Sequence, residues 1–374
     1  MNTYQSRIIS GGSSLLLDCL RIIAALTVFY VHAHGQWFPA TVHDGKGPGN
    51  ISHAAVVVFF VLSGYVIAHT TTSNNRGKLQ YAQARLSRLC SIVLPALLVT
   101  AIAEVITGFA NPALHAEYSR GFALPRYAIT SVFFNEIWFF SAAPPINGPL
   151  WSLSYEFWYY AIFGLWFYKA SSGWKSYILP VLALLIAGPK ILFMMPIWLA
   201  GCYAYRLKRP DISNTVAWML VFFVFGVAGL SIAFVPPFPY GIDSKPFAYA
   251  NQFVTDWVTG FFIAMGLWFL PTAEKASTTQ SGWVLGLRKF ADLTFPLYVL
   301  HHPLLILFRA VVPYKMEVQQ LWVAMLSVFA ACMLIGLYLE AKRPYWSRFF
   351  KWLLAKVNGA YHSYSPSLNT HTVS

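Results

Sequence analysis

Charge is scarce in this chain, and negative charge scarcest. Only 13 Asp and Glu stand beside 26 Lys and Arg among 374 residues, 10% in all. A soluble globular chain carries roughly 25% charged residues. The deficit excludes an ordinary cytosolic enzyme. It also excludes a disordered chain, which combines low hydrophobicity with high charge. Cysteine is scarce too: Cys19, Cys90, Cys202 and Cys332 are scattered, with no CxxC pair. That pattern excludes a secreted disulfide scaffold and argues against a zinc site. No repeat of 20–50 residues, long linker or soluble-sized block interrupts the chain. What it has instead is apolar residues, 57% of the total, with a mean hydropathy of +0.54. The composition predicts an all-α polytopic membrane protein.

A membrane helix needs about 20 mostly apolar residues. About ten candidate spans read that way: 15–34, 52–71, 88–109, 151–168, 175–188, 190–206, 213–235, 252–271, 291–312 and 318–340. The fifth and sixth are short and meet at Gly188-Pro189-Lys190, as a tight hairpin or one broken helix. Segment 126–142 is apolar but contains Glu136 and ends at Pro144-Pro145, so it reads as interfacial or re-entrant. With the N-terminus inside, ten spans return the C-terminus to the same side. Six basic residues then fall outside (Lys46, Arg120, Arg126, Lys190, Lys245, Lys315), Arg21 and Arg309 fall within spans, and the other 18 lie inside. The positive-inside rule therefore predicts cytoplasmic N- and C-termini. The same bias removes the case for nucleic acid that a net charge of +13 would make in a soluble protein. Asp18 and Arg21 interrupt the first apolar run, so it reads as a retained helix rather than a signal peptide. Residues 1–343 form the expected transmembrane domain. Residues 344–374 are expected to be an amphipathic basic segment on the inner surface, followed by a disordered cytoplasmic tail. Segment 236–250 reads as an acceptor entrance or a stiff loop.

Ionisable groups inside spans cost roughly 2.5–3.5 kcal/mol on insertion scales and mark candidate sites. The first span holds Asp18, Arg21, His32 and His34. Arg21 and His32 are eleven residues apart, nearly three turns, so they share a face about 16 Å apart along the axis. Asp18 can pair with Arg21 at i+3. A snorkelling arginine and a structural histidine would give the same pattern. So would a base, which histidine supplies near neutrality, beside an anion clamp, which arginine supplies as a fixed fork. Ser63-Gly64 in the second span allows close approach of a helix or a ligand. Arg85 and Arg88 share a helix face and read as solvated inner-side charges or a phosphate site. Glu156 lies one and a half turns into the fourth span, at a depth similar to that of His32, where a carboxylate could orient the histidine or bind a hydroxyl. Trp151 and Tyr155 suit either sugar stacking or an interfacial belt. His301 is polar at mid-span. No carboxylate cluster stands at metal-ligand spacing, so no metal is expected.

Taken together, these segments resemble the acyltransferase-3 family of bacterial integral-membrane O-acyltransferases. Leu17-Asp18-Cys19-Leu20-Arg21 through His32 is similar to the family's LDxLR and R-x10-H signature. Phe59-Phe60-Val61-Leu62-Ser63-Gly64 is similar to FFxxSG, and Arg85-Leu86-Ser87-Arg88 to RxxR. Trp151-Ser152-Leu153 with Glu156 resembles WSLxxE, and Tyr298-Val299-Leu300-His301 with Pro303 resembles YLxHxP. The resemblance covers about residues 15–340. Ile22 and Cys90-Ser91 depart from the usual glycine and tyrosine–proline.

The resemblance implies a stand-alone O-acetyltransferase in the bacterial cytoplasmic (inner) membrane. Acetyl-CoA would be the acyl donor, and the acceptor a hydroxyl of a cell-surface or exported carbohydrate: a polysaccharide, an oligosaccharide or a lipid-linked sugar. His32 would be the general base and Glu156 would orient it or the sugar, with Arg21 and Asp18 supporting. Arg85 and Arg88 would hold the donor phosphates beside Ser63. Trp151, Ser152, Tyr155 and His301 would contact substrate. Membrane lipid is the other expected partner, and a homo-oligomer stays open. The rival readings are a transporter of a lipid-linked sugar or small anion, and a membrane scaffold.

Overall fold

The structure, a computed structural model, describes residues 7–9, 11–39, 49–73, 75, 77–169, 173–242, 246–272 and 281–364. The described residues form twelve α-helices: α1 (Gly12–Trp37), α2 (Gly49–Ser73), α3 (Lys78–Ala110), α4 (Pro112–Tyr118), α5 (Ala123–Ser131), α6 (Trp151–Phe167), α7 (Ile178–Ala187), α8 (Pro189–Arg206), α9 (Asn214–Phe234), α10 (Phe253–Phe269), α11 (Gly282–Val311) and α12 (Val318–Tyr364). Backbone hydrogen bonds have no water to satisfy them in lipid, which leaves helices as the economical way across.

Six helices are long and apolar enough to cross a membrane: α1, α2, α3, α9, α11 and α12. The chain is a multi-pass membrane protein. Four of the ten expected spans differ in form. α6 and α10 have 17 residues each, roughly 25 Å against a hydrocarbon core of about 30 Å. The segments at 174–187 and 189–206 are bent 115° at Gly188, so they do not cross as one straight rod. The bend has a cause. Gly188 has φ of +77°, and a Cβ there would lie 2.6 Å from the backbone of Trp138. Only glycine allows that approach.

Segment 126–142 does not span. After α5 the chain turns back under the bend, where Trp138 N–H donates to the Ala187 carbonyl (3.1 Å). Lys190 and Glu136, both fully buried, pair at 2.5 Å. Lys190 also donates to Ser141 Oγ (2.9 Å) and to the Phe140 carbonyl. An irregular backbone at this depth is tolerated because protein surrounds it.

Two ends of the bundle are tied separately. At one, the Arg7 guanidinium donates to the carbonyls of Ala204, Leu207 and Trp268. That places the start of α1 beside the last turns of α8 and α10. At the other, Trp37 Nε1 donates to Gln320 Oε1 (3.1 Å) and the Tyr314 hydroxyl donates to the Trp37 carbonyl (3.1 Å). The end of α1 thus meets the α11–α12 connection. α12 runs through Pro344 without a break. Its lower half stays on α3 through Gln83, whose amide donates to the Ser347 carbonyl (3.0 Å). The expected amphipathic basic segment from 344 onwards is thus a continuation of α12. Of the expected disordered tail, residues 365–374 lie outside the described residues. Segment 236–250 is a pinned loop where it is described: Phe238 N–H donates to Thr255 Oγ1 (2.9 Å) and Tyr240 N–H to the Asn251 carbonyl (3.2 Å).

Candidate active site

The site is set by a close helix crossing. A Cβ on Gly64 would stand 1.9 Å from the Trp198 carbonyl oxygen, and one on Gly201 2.0 Å from that of Val61. α2 and α8 therefore touch backbone to backbone, as small residues permit in membranes. Gly64 serves a neighbouring helix, and its neighbour Ser63 lines a cavity of about 110 Å³.

That cavity collects residues far apart in sequence: Arg21 from α1, Ser63 from α2, Arg85 and Arg88 from α3, Ser152, Glu156 and Tyr160 from α6, and Thr294 and Tyr298 from α11. Val56, Phe59, Phe60, Leu153 and Phe295 supply apolar wall. Three guanidiniums and one carboxylate leave a net positive lining. Arg21 is compensated by Asp18 at 3.4 Å, and that carboxylate also faces Arg288 at 3.9 Å. Arg85 and Arg88 form no ion pair among the described residues. Arg85 lies over the Tyr160 ring (5.7 Å) and Arg88 over the Phe295 ring (5.8 Å), and Arg85 Nε has no partner. Two unpaired forks in a low-dielectric wall are suited to an anion, phosphate above all.

Glu156 is held by a small network. The Tyr160 hydroxyl donates to Glu156 Oε1, and Ser63 Oγ donates to the same oxygen (3.2 Å). Trp198 Nε1 donates to Ser63 Oγ (3.2 Å). Across the cavity the Tyr298 hydroxyl donates to the Pro149 carbonyl (3.0 Å) and lies 2.7 Å from Ser152 Oγ.

His32 sits one side chain beyond this wall. Its Nδ1 is 2.8 Å from His301 Nε2, and the two ring planes are within 18° of parallel with centroids 5.1 Å apart. His301 is fully buried, and its ring centroid is 6.1 Å from that of Tyr298. His301 Nδ1 meets the Leu297 carbonyl at 3.0 Å, and His302 Nδ1 the Ile146 carbonyl at 2.8 Å. Pro303 lacks an N–H, so the Val299 carbonyl loses its helical donor. Asn147 Nδ2 replaces it at 3.0 Å. Residues 146–147 thereby lock the α11 turn that carries both histidines.

Several sequence expectations change here. Of the two roles expected for Glu156, orienting His32 or the sugar, the geometry shows Oε1 engaged by Ser63 and Tyr160, while His32 meets His301. Trp151 and Tyr155 lie in the aromatic core and are not among the residues lining this cavity. Trp151 is 5% exposed and stacks parallel on His53 (5.6 Å) and Tyr249 (4.5 Å); Tyr155 is 0% exposed and stacks on Phe60 (6.1 Å). The reason is helical phase. Ser152, Glu156 and Tyr160 form one i, i+4 series facing the cavity. Trp151, Tyr155 and Tyr159 form the series about 100° away, in the core. The sequence reading missed Tyr160 and Tyr298. Tyr160 could have been found as the i+4 neighbour of Glu156. It also missed that Asp256 pairs with a buried His53 (2.9 Å), with Gln252 Nε2 donating to its other oxygen (2.9 Å).

Comparison with known proteins gives a consistent result. Residues 15–341 match the acyltransferase-3 family, described as an acyltransferase domain. The acyltransferase MdmB of Streptomyces mycarofaciens is 29% identical over 154 residues, which are 40% of this chain and 38% of that protein. The match therefore spans well under half of that relative's length. No solved structure matches the chain.

Proposed function

This chain belongs to the acyltransferase-3 family, and from that premise we propose that it moves an acetyl group from cytoplasmic acetyl-CoA to a hydroxyl of an exported or cell-surface carbohydrate. The observation that supports this reading most is the convergence of Arg21, Arg85 and Arg88 on one cavity whose wall residue Tyr298 touches the His301–His32 pair. In this reading the protein lies in the inner membrane with ten crossings, both termini inside and the arginine end towards the cytoplasm. The donor's phosphates bind Arg85 and Arg88, and its thioester end points past Ser63 towards Tyr298. The acceptor hydroxyl approaches His32 from the opposite side.

The chemistry then balances simply. The hydroxyl oxygen attacks the thioester carbonyl carbon while its proton passes to His32. The C–S bond breaks, and the proton on His32 goes to the leaving thiolate, which departs as the free thiol. General-base assistance of this kind is worth about 10²–10⁴-fold. Glu156, held by Ser63 and Tyr160, faces the cavity arginines when no donor is bound. Trapping of labelled acetyl on His32 with a kinetic burst would assign an acyl-histidine intermediate instead of direct transfer. The test of the proposal compares surface glycans from a deletion strain with and without the gene, by mass spectrometry. An acetyl-sized difference restored by the wild type and not by His32→Ala is the expected result. Substrate flux into vesicles without covalent change would favour a transporter and refute the proposal.

A further inference from the structure

We infer that His301 is a positioning residue that fixes the tautomer of His32, leaving His32 Nε2 as the nitrogen that accepts the acceptor's proton. The inference rests on His32 being the base, as proposed above, and goes beyond it by saying which atom acts and what holds it.

A carbonyl oxygen only accepts hydrogen bonds. His301 Nδ1, 3.0 Å from the Leu297 carbonyl, must therefore carry a proton. A neutral imidazole has one N–H, so His301 Nε2 carries a lone pair. That lone pair faces His32 Nδ1 at 2.8 Å. Two lone pairs at that distance would repel, so His32 Nδ1 must donate. His32 then has its own single proton placed, and Nε2 is free to accept another. The neutral form of His301 is the one this setting satisfies. Its ring neighbours are Phe29, Tyr298, His32 and His302; none is a carboxylate, and a buried unpaired charge is costly. His302 cannot substitute as the partner of His32, because its Nδ1 is engaged by the Ile146 carbonyl and its ring meets that of His32 edge-on, at 87°.

The relay also acts during the reaction. When His32 Nε2 takes a proton the ring becomes cationic, and its Nδ1–H bond to His301 strengthens as a charge-assisted one. A neutral imidazole thus fills the place that a carboxylate takes in a serine-hydrolase triad, where the third group holds tautomer and orientation. The arrangement depends on α11 being locked, which the Asn147 amide on the Val299 carbonyl provides.

The test uses full-length protein in lipid, with acetyl transfer followed from acetyl-CoA. His301→Leu removes the acceptor for His32 Nδ1. His301→Gln keeps an acceptor oxygen and an amide donor for the Leu297 carbonyl. The expected results are a loss of about 10²-fold in kcat for His301→Leu, unchanged KM values for both substrates, and recovery of most of that loss in His301→Gln. Full activity of His301→Leu beside an inactive His32→Ala would overturn the relay and leave His32 as the base. A raised KM at unchanged kcat would overturn it too, making His301 a substrate contact. Equal impairment by Gln and Leu would count against it. Full activity of His32→Ala would instead remove the reading on which it rests. A measurement independent of variants is the ¹⁵N spectrum of histidine-labelled protein. His32 should show a protonated Nδ1 and an unprotonated Nε2, and the opposite assignment would overturn the inference.

Discussion

Replacing Gly64 by alanine adds one carbon where there is no room for it. The new Cβ would stand 1.9 Å from the Trp198 carbonyl oxygen, 3.0 Å from the Trp198 carbonyl carbon and 3.2 Å from the Cys202 nitrogen. All three are backbone atoms of α8, so no side chain can rotate away. An ordinary carbon–oxygen contact is about 3.5 Å, so α2 and α8 must part locally by an ångström or more. The parting would also break the Cys202 thiol contact to the Gly64 carbonyl (3.1 Å) and loosen Trp198 from Ser63. Overpacking of this kind costs about 1–3 kcal/mol. Alanine's higher helix propensity returns at most about 1 kcal/mol. Gly229→Ala is the control, because nothing lies within 4 Å of its Cβ position. Thermal unfolding of the two variants in the same detergent should show Gly64→Ala clearly destabilised and Gly229→Ala at or above the wild type. Equal stability would refute the backbone-to-backbone crossing and the placement of Ser63 that follows from it.

Three further outcomes are expected. Lys190→Met should destabilise the protein by about 3–5 kcal/mol, because it leaves the Glu136 carboxylate buried without its cation. Lys190→Met with Glu136→Leu should recover most of that loss in the same unfolding assay. His53→Phe keeps a ring beside Trp151 but leaves one oxygen of buried Asp256 without its donor, at a cost of about 1–3 kcal/mol. Arg85→Gln and Arg88→Gln should each raise KM for acetyl-CoA about 10–100-fold, the equivalent of one charge-assisted bond, with a smaller effect on kcat. Unchanged donor KM would move the phosphates elsewhere.

The polar residues of the cavity were legible because they interrupt apolar helices. Arg21, Ser63 and Glu156 each stand out in such a run, Arg85 and Arg88 stand out as an i, i+3 pair on the inner side, Ser152 stands out through the WSLxxE-like string, and all six line the same space. The aromatic partners were not. In a chain that is 17% aromatic, residue type does not separate Tyr160 and Tyr298 from core tyrosines such as Tyr159; only the i+4 spacing of Tyr160 from Glu156 and the place of Tyr298 in the YLxHxP-like string mark them. Residue type also does not say which way Trp151 and Tyr155 point, since a one-residue step along α6 turns a side chain by about 100°. The link between His32 and His301 spans 269 positions. Periodicity along one helix put His32 in phase with Arg21 but carries no information about which helix faces it. The number of crossings was read from hydropathy, which registers apolar length and not bending. It therefore left open whether the segments that meet at 115° in α7 and α8 form a tight hairpin or one broken helix.

The central claim is that His32 drives covalent transfer of an acyl group from a thioester bound by the cavity arginines. The direct measurement follows labelled acetyl from acetyl-CoA supplied to the cytoplasmic face of membrane vesicles, for wild type and for His32→Ala of matched folding. The account predicts a labelled ester and free CoA thiol in equal amounts for the wild type, with a rate at least about 10²-fold lower for His32→Ala. Wild-type ester formation in His32→Ala, or label crossing the membrane with no thiol released, would contradict it.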